Sequence, residues 1–389
     1  MKIYRQVFFL VFFCSFYLMR GQQIKIEKFF SNELNDERVL QIYLPKSYTP
    51  QTSNTYPLTI ILDSELVFDA YTGTLEYFTK NQAAPEHIIV GIANLTSELE
   101  YDYGIDLATG FPDEFGRKFM DFVNYELLPS LEERFPLSHF SCIIGHDQTA
   151  AFVNYFLVED VPSFNAYISM DPVYFEGFHY LIDGQKNKLD NDFYYYFTNG
   201  YQGRNVEDIS SSLAVQNSLE SIEFNSFNYI FDDSKSKSKL LRFSQGISLA
   251  INEIYRVYRP ISSKEFEEEI RFLSAEQTID FLENKYAQIK YLYGSEVSMR
   301  PADIFRLESN IIDKENGDYL KEFGNMIIDL YPEEPLGYYY VGLYYEKGKS
   351  YRKALVKYKE GFEKVKGRHE KYDNYYRNIE RVLEKIALN

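Results

Sequence analysis

Phe140-Ser141-Cys142-Ile143-Ile144-Gly145-His146-Asp147-Gln148-Thr149-Ala150 is the stretch on which the fold turns. Phe140–Ile144 is a short apolar run of the kind that makes a buried strand. Gly145 permits a sharp turn, and Thr149–Leu157 reads as a helix. Strand, tight turn and helix, with glycine two residues before the apex, is the setting of a nucleophile elbow, G-x-S-x-G. Here the apex is Asp147 rather than serine. The apex of such a turn has strained backbone angles with φ > 0, and Asp tolerates them better than most non-glycine residues.

The same alternation extends on both sides. Val39–Leu44 reads as a strand ending at Pro45, Leu58–Leu62 as one ending at Asp63, and Ile88–Ile92 as one before Asn94. Phe115–Phe135 carries apolar residues at helical spacing. Ala166–Ser169, Tyr194–Phe197 and Ser226–Phe231 follow as strands, then Leu240–Val257 as a helix. Continuous apolar strands alternating with amphipathic helices predict βαβ units, a mostly parallel sheet with helices on both faces. Sites in such sheets lie at the carboxyl ends of the strands, which is where Asp147 falls.

Composition narrows the function. The 389 residues carry 41 basic and 58 acidic side chains, a net charge of −17. Such a surface repels phosphate, which excludes nucleic acid as a natural partner. Two cysteines support neither a disulfide framework nor a cysteine-based zinc site. Residues 1–22 have Lys2 and Arg5, an apolar run from Val7 to Met19, and Gly21 at a cleavage position. The run is short for a membrane span, so it reads as a secretory signal peptide, and the protein as exported, periplasmic or secreted, with no span after cleavage. Phe12 and Phe13 before Cys14 argue against a lipobox. Cleavage takes the charge from −17 to −20 by removing Lys2, Arg5 and Arg20.

The pattern changes near residues 258–264. The expected division is a signal peptide over 1–22, a sheet domain over 23–260 and a helical region over 265–389. Within the latter, Tyr338, Val341, Gly342, Tyr345, Ala354, Tyr358 and Gly361 match tetratricopeptide spacing, in which small residues let antiparallel helices approach. A weaker unit spans 301–334, where Gly324 and Glu308 fit the consensus poorly.

With these landmarks in order, residues 38–258 resemble the esterase D and enterochelin-esterase group of α/β-hydrolases. The resemblance is carried by Arg38–Pro45, Tyr56-Pro57-Leu58 leading into Leu62-Asp63, Pro85–Asn94, Phe119–Pro129 and the Gly145-His146 turn. It implies an α/β-hydrolase fold followed by an all-α tetratricopeptide-like region, with no cofactor and no metal. The family's serine falls on Asp147, and the glycine two residues on falls on Thr149. The family's histidine belongs to the loop after the last strand, which here reads Phe231–Ser238 and contains none. The acid has Glu207 or Asp208 as nearest candidates. An oxyanion hole would use the backbone N–H of Gln148 and one from the Ser64–Glu65 turn.

Three readings stay open: hydrolysis lost, chemistry altered through an Asp147 nucleophile, or a relocated triad. The leading one is a non-catalytic binding or scaffold protein, with a small ligand in the old pocket, a protein partner on the repeats, or both. Its rival is an active hydrolase of carboxylic esters. Asp171 ends the next strand and either approaches Asp147 to share a cation or proton, or is hydrogen-bonded in its own turn. His146 reads as a hydrogen-bonded core histidine, Asp232-Asp233 as a solvated turn, and Lys235–Lys239 as a surface loop rather than an anion site.

Overall fold

The computed structural model describes residues 23–93, 102–106, 108–185, 193–199, 206–221, 227–233, 238–294, 297–365 and 369–388. The segment expected to be a signal peptide lies outside them, as do Asn94, Ser226 and residues 234–237. Two compact units divide at Arg259/Pro260, except that Tyr291–Ser295 belong to the first.

The first unit is built on eight strands: β1 (Gln23–Ser31), β2 (Asp36–Leu44), β3 (Tyr56–Leu62), β4 (Ile88–Ala93), β5 (Leu137–His146), β6 (Ala166–Met170), β7 (Phe193–Asn199) and β8 (Phe227–Asp233). Their order is β1-β2-β4-β3-β5-β6-β7-β8. The β1–β2 and β2–β4 pairs are antiparallel and all others parallel. β3, β4 and β6 are buried along their whole length, as strands covered on both faces must be. β1 is the strand that apolar runs do not reveal. It is an edge whose Ile24, Ile26 and Phe30 remain exposed, so it has no continuous buried run.

Helices return the chain between parallel strands. α1 (Ser64–Lys80) follows β3. α2 (Glu114–Asp121) passes through a π-helical stretch, Phe122–Leu127, into α3 (Leu128–Arg134), where the periodicity suggested one regular helix. α4 (Gln148–Phe152) leaves the elbow and tightens into a 3₁₀ turn at Val153–Tyr155, shorter than the helix expected to Leu157. α5 (Phe178–Gln185), α6 (Val206–Glu220) and α7 (Lys239–Ile254) complete the layer. The core holds Ile60, Leu62, Val90, Ile92, Ile143, Phe119 and Phe152, all nearly or fully buried.

The remaining helices are α8 (Ser263–Glu268), α9 (Ala275–Tyr293), α10 (Pro301–Asp313), α11 (Leu320–Leu330), α12 (Leu336–Lys347), α13 (Tyr351–Lys364) and α14 (His369–Ala387). Successive helices pack through small residues. A Cβ on Gly342 would meet the Tyr358 ring at 2.5 Å, and one on Gly324 would meet Val341 at 2.7 Å. Tyr358 is fully buried and donates to Glu346 at 2.8 Å. Burial alone would raise the Glu346 carboxyl, but bonds from Arg381, Lys385 and Tyr358 outweigh it and hold it at about 2.

Candidate functional site

Three neighbouring parallel strands each end in an aspartate. Asp63 follows β3, Asp147 follows β5 and Asp171 follows β6, with φ of 58°, 59° and 55°. Such angles cost an L-residue on the order of 1–3 kcal/mol where the surroundings enforce them, and Asp is among the side chains that accept them most readily. The ladder does the enforcing. The N–H of Asp147 donates to Met170 O at 2.8 Å, and that of Asp171 to Thr198 O at 3.0 Å, so each turn continues the strand pairing before it bends.

The elbow is tight. A Cβ on Gly145 would lie 2.3 Å from the carbonyl oxygen of Thr149, so only glycine fits there. Thr149, at the position where the resembled family has glycine, closes the turn with its hydroxyl. Its Oγ1 accepts the His146 N–H at 2.9 Å and donates to His146 O at 3.0 Å. A side chain that sequence comparison reads as a defect in the turn is part of its hydrogen bonding.

Asp147 faces a cation. Lys239 Nζ, in the first turn of α7, lies 2.6 Å from Asp147 Oδ2, and both side chains are about half exposed. One turn further, Arg242 grips Asp171. Its Nε lies 3.1 and 3.0 Å from the two carboxylate oxygens and its terminal nitrogen 2.9 Å from Oδ2, with both side chains 4 % exposed. Asp171 is therefore neither closed on its own turn nor sharing a cation with Asp147; each carboxylate has its own basic partner. Among the described residues no group of His, Cys, Asp and Glu has the arrangement of a metal site.

The expected surface loop Lys235–Lys239 is corrected at its last residue: Ser238 caps α7 through Leu241 N, and Lys239 reaches the site. A sequence signal existed. Lys239 and Arg242 stand three apart in the first turn of a helix with no acidic residue there. Cations at a helix N-terminus oppose its dipole, so their placement calls for an external partner.

His146 is buried, but neither ring nitrogen has a hydrogen-bond partner, contrary to the expected bonded core histidine. Its ring packs edge-on against Phe243 at 4.9 Å. Burial and the nearby Lys239 ammonium hold it below its usual pKa, despite the opposing pull of Asp147 and Asp171, so the ring is neutral. His87 is fully buried, bonded to Thr59 at 3.0 Å and pushed down to about 3 by burial. His139 and His179 pack against Tyr291 and Tyr180.

Ser64 and Gln148 open α1 and α4, so their backbone N–H groups have no intrahelical acceptor. β3 and β5 are adjacent and parallel, which brings both N–H groups and that of Glu65 to one edge of the sheet. The Ser64 hydroxyl is buried without a partner. Asp63, beside them, has its carboxyl raised to about 6, first by burial and then by Glu65 and Asp147. Glu207 is an exposed residue of α6; Asp208 lies in the first turn of the same helix, its side chain outside the described set. Asp232 and Asp233 close β8 rather than forming a turn, and Asp232 accepts from Tyr196 at 3.2 Å.

A cavity of about 740 Å³ opens beside Asp147 and Gln148. Its wall includes Tyr103, Phe152, Tyr155, Tyr174, Phe175 and Phe178, and Asp113 belongs to the same lining. The volume is that of a small-molecule site.

The family model "Putative esterase" matches residues 31–170, the segment that holds β2 to β6 and the elbow. No curated protein matches the chain significantly. Among solved structures, an uncharacterised protein from Capnocytophaga ochracea is similar over 93% of this chain and 100% of its own, with 24% identity and a TM-score of 0.81. An IroE-like serine hydrolase from Shewanella oneidensis is similar over 85% of this chain and 100% of its own (20% identity, TM-score 0.55). The BES protein from Bacillus cereus is similar over 61% and 98% (17% identity, TM-score 0.51). Strand order, elbow and these likenesses agree: the chain carries an esterase-like α/β-hydrolase fold followed by a helical C-terminal region.

Proposed function

We propose that this chain is a binding protein on a hydrolase-like scaffold, taking a small ligand in the cavity beside Asp147 without serine-hydrolase turnover. The observation that carries the reading is the Asp147–Lys239 pair, a carboxylate at the apex held 2.6 Å from an ammonium. A carboxylate nucleophile forms an ester that a water activated by a nearby base must then hydrolyse. Lysine in its charged form is no such base, and the neutral His146 ring rests on Phe243. The aromatic cavity persists beside the altered elbow, which favours retained binding.

Two further parts belong to the proposal. Export is supported by the charge and hydropathy pattern of residues 1–22. A tetratricopeptide-like role for the helical region, with a protein partner docked on it, is supported by the close approach of Gly342 to Tyr358 and of Gly361 to Tyr375.

The test uses purified full-length protein, a serine-directed phosphonate and short-chain activated esters. We expect no covalent labelling and no turnover above buffer. Stoichiometric labelling of any serine, with ester hydrolysis that the label abolishes, would overturn the proposal in favour of a relocated triad.

A further inference from the structure

The geometry points to an organic cation, an ammonium group on an aromatic or aliphatic body, as the ligand class of the cavity beside Asp147; this rests on the binding reading above. The walls supply ring surface more than hydroxyls. Tyr155 spends its hydroxyl on Gly110 O at 2.8 Å, and the Tyr174 hydroxyl is engaged with Tyr195 at 3.0 Å and Asn154 at 3.3 Å. With Phe152, Phe175 and Phe178 they form an apolar wall whose ring faces carry the negative end of the aromatic quadrupole.

The charges agree with the rings. Among the described residues that line the cavity, the ionisable acids are Asp113 and Asp147, and there is no Lys, Arg or His. Asp113 Oδ1 caps α2 by accepting from Phe115 N and Gly116 N, both at 2.9 Å, so its second oxygen has acceptor capacity to spare. A Cβ on residue 104 would lie 2.3 Å from that oxygen, and Gly104 is what lets the carboxylate sit there. Lys239 occupies Asp147 Oδ2, leaving Oδ1 for a ligand. An anion would meet two carboxylates and no lining cation. The five residues of α4 are too few to add a useful dipole in an anion's favour, which leaves the Gln148 N–H as the one donor that α4 offers against two carboxylates. The chain's net charge of −17 adds a long-range field that concentrates cations.

A charge series of similar shape tests this: 2-phenylethylammonium, 2-phenylethanol and 3-phenylpropionate, titrated calorimetrically into the full chain at low salt. We expect the ammonium to bind about tenfold tighter than the alcohol, and the carboxylate most weakly. Asp147→Asn keeps the φ > 0 turn and should weaken the ammonium about fivefold while leaving the alcohol unchanged. Ala151→Phe, which fills the cavity, should abolish binding of both. If all three probes bind alike and Ala151→Phe removes them all, the cation class is wrong and the pocket reading stands. If none binds the wild type at millimolar concentration, the pocket reading falls and this inference with it. Should either variant fail to fold, the wild-type series still decides.

Discussion

Asp63, Asp147 and Asp171 occupy equivalent places at the ends of adjacent strands, yet their surroundings differ. Arg242 neutralises Asp171 and Lys239 meets Asp147, whereas Asp63 lies next to Glu65 and Asp147 with only Lys239 in partial compensation. Its carboxyl is raised from 3.8 to about 6, so the folded state holds a proton that the unfolded chain releases. Stability from this group is therefore greatest below pH 4 and declines as pH rises through 6. Asp63→Asn keeps the left-handed turn and removes that decline. We expect the variant to be about 1 kcal/mol more stable at pH 7.5, after allowance for solvent screening of a half-exposed group, and no more stable at pH 4. Urea unfolding at the two pH values measures it; an equal effect at both would reject the electrostatic account. Asp147 was legible in the sequence because Gly145 and the strand before it mark the apex. Lys239 was not, because its role depends on α7 presenting it to an elbow 92 residues earlier in the chain. The bond of Thr149 to His146 was hidden for a different reason: a hydroxyl replaced a glycine's space with a bond of its own.

At the scale of elements, glycines separate intrinsic preference from packing. Gly73 lies inside α1 with nothing within 4 Å of where a Cβ would stand, whereas Gly342 inside α12 stands against the buried Tyr358 ring. Both would gain about 0.8–1 kcal/mol of helix propensity on replacement by Ala. Gly73→Ala should keep that gain. Gly342→Ala should lose it to overpacking of roughly 1–3 kcal/mol, because Tyr358 is fixed by its bond to Glu346 and cannot retreat. Opposite shifts in the unfolding midpoint are the expected result, and a stabilised Gly342→Ala would mean that the helices part freely. The same distinction explains which elements could be read from sequence. β3, β4 and β6 are buried on both faces and give unbroken apolar runs. β1 offers one half-covered face at an edge, and the π stretch at Phe122–Leu127 preserves the apolar spacing of an ordinary helix. Periodicity carries no mark of either.

For the molecule as a whole, composition places a change of character near residues 258–264, and a cut near 262 would follow from it. Packing divides the chain within that window, at Arg259/Pro260, but returns one later segment to the first unit. Tyr293, within the Tyr291–Ser295 segment of the first unit, is fully buried there. Its ring meets Phe140 at 5.1 Å and Tyr255 at 5.6 Å, both edge-on, and its hydroxyl donates to Ile254 O at 3.2 Å. Phe140 begins the apolar run of β5 that leads into the elbow, so the site's own strand is packed by a residue from beyond the apparent boundary. No local pattern announces this, because a single aromatic at a helix end looks like any other. Tyr293→Ala should cost the sheet unit about 3–5 kcal/mol, the range for emptying a buried aromatic position. Tyr293→Phe should cost only about 0.5–1.5 kcal/mol, since it keeps the ring and loses one hydrogen bond. A chain ended at residue 262 should be at least as destabilised as Tyr293→Ala. The measurement is the urea midpoint of all three beside the wild type, followed by near-ultraviolet circular dichroism, which reports tyrosine packing. If the truncated chain unfolds at the wild-type midpoint of the sheet unit, Tyr293 is dispensable and the boundary drawn from composition is the physical one.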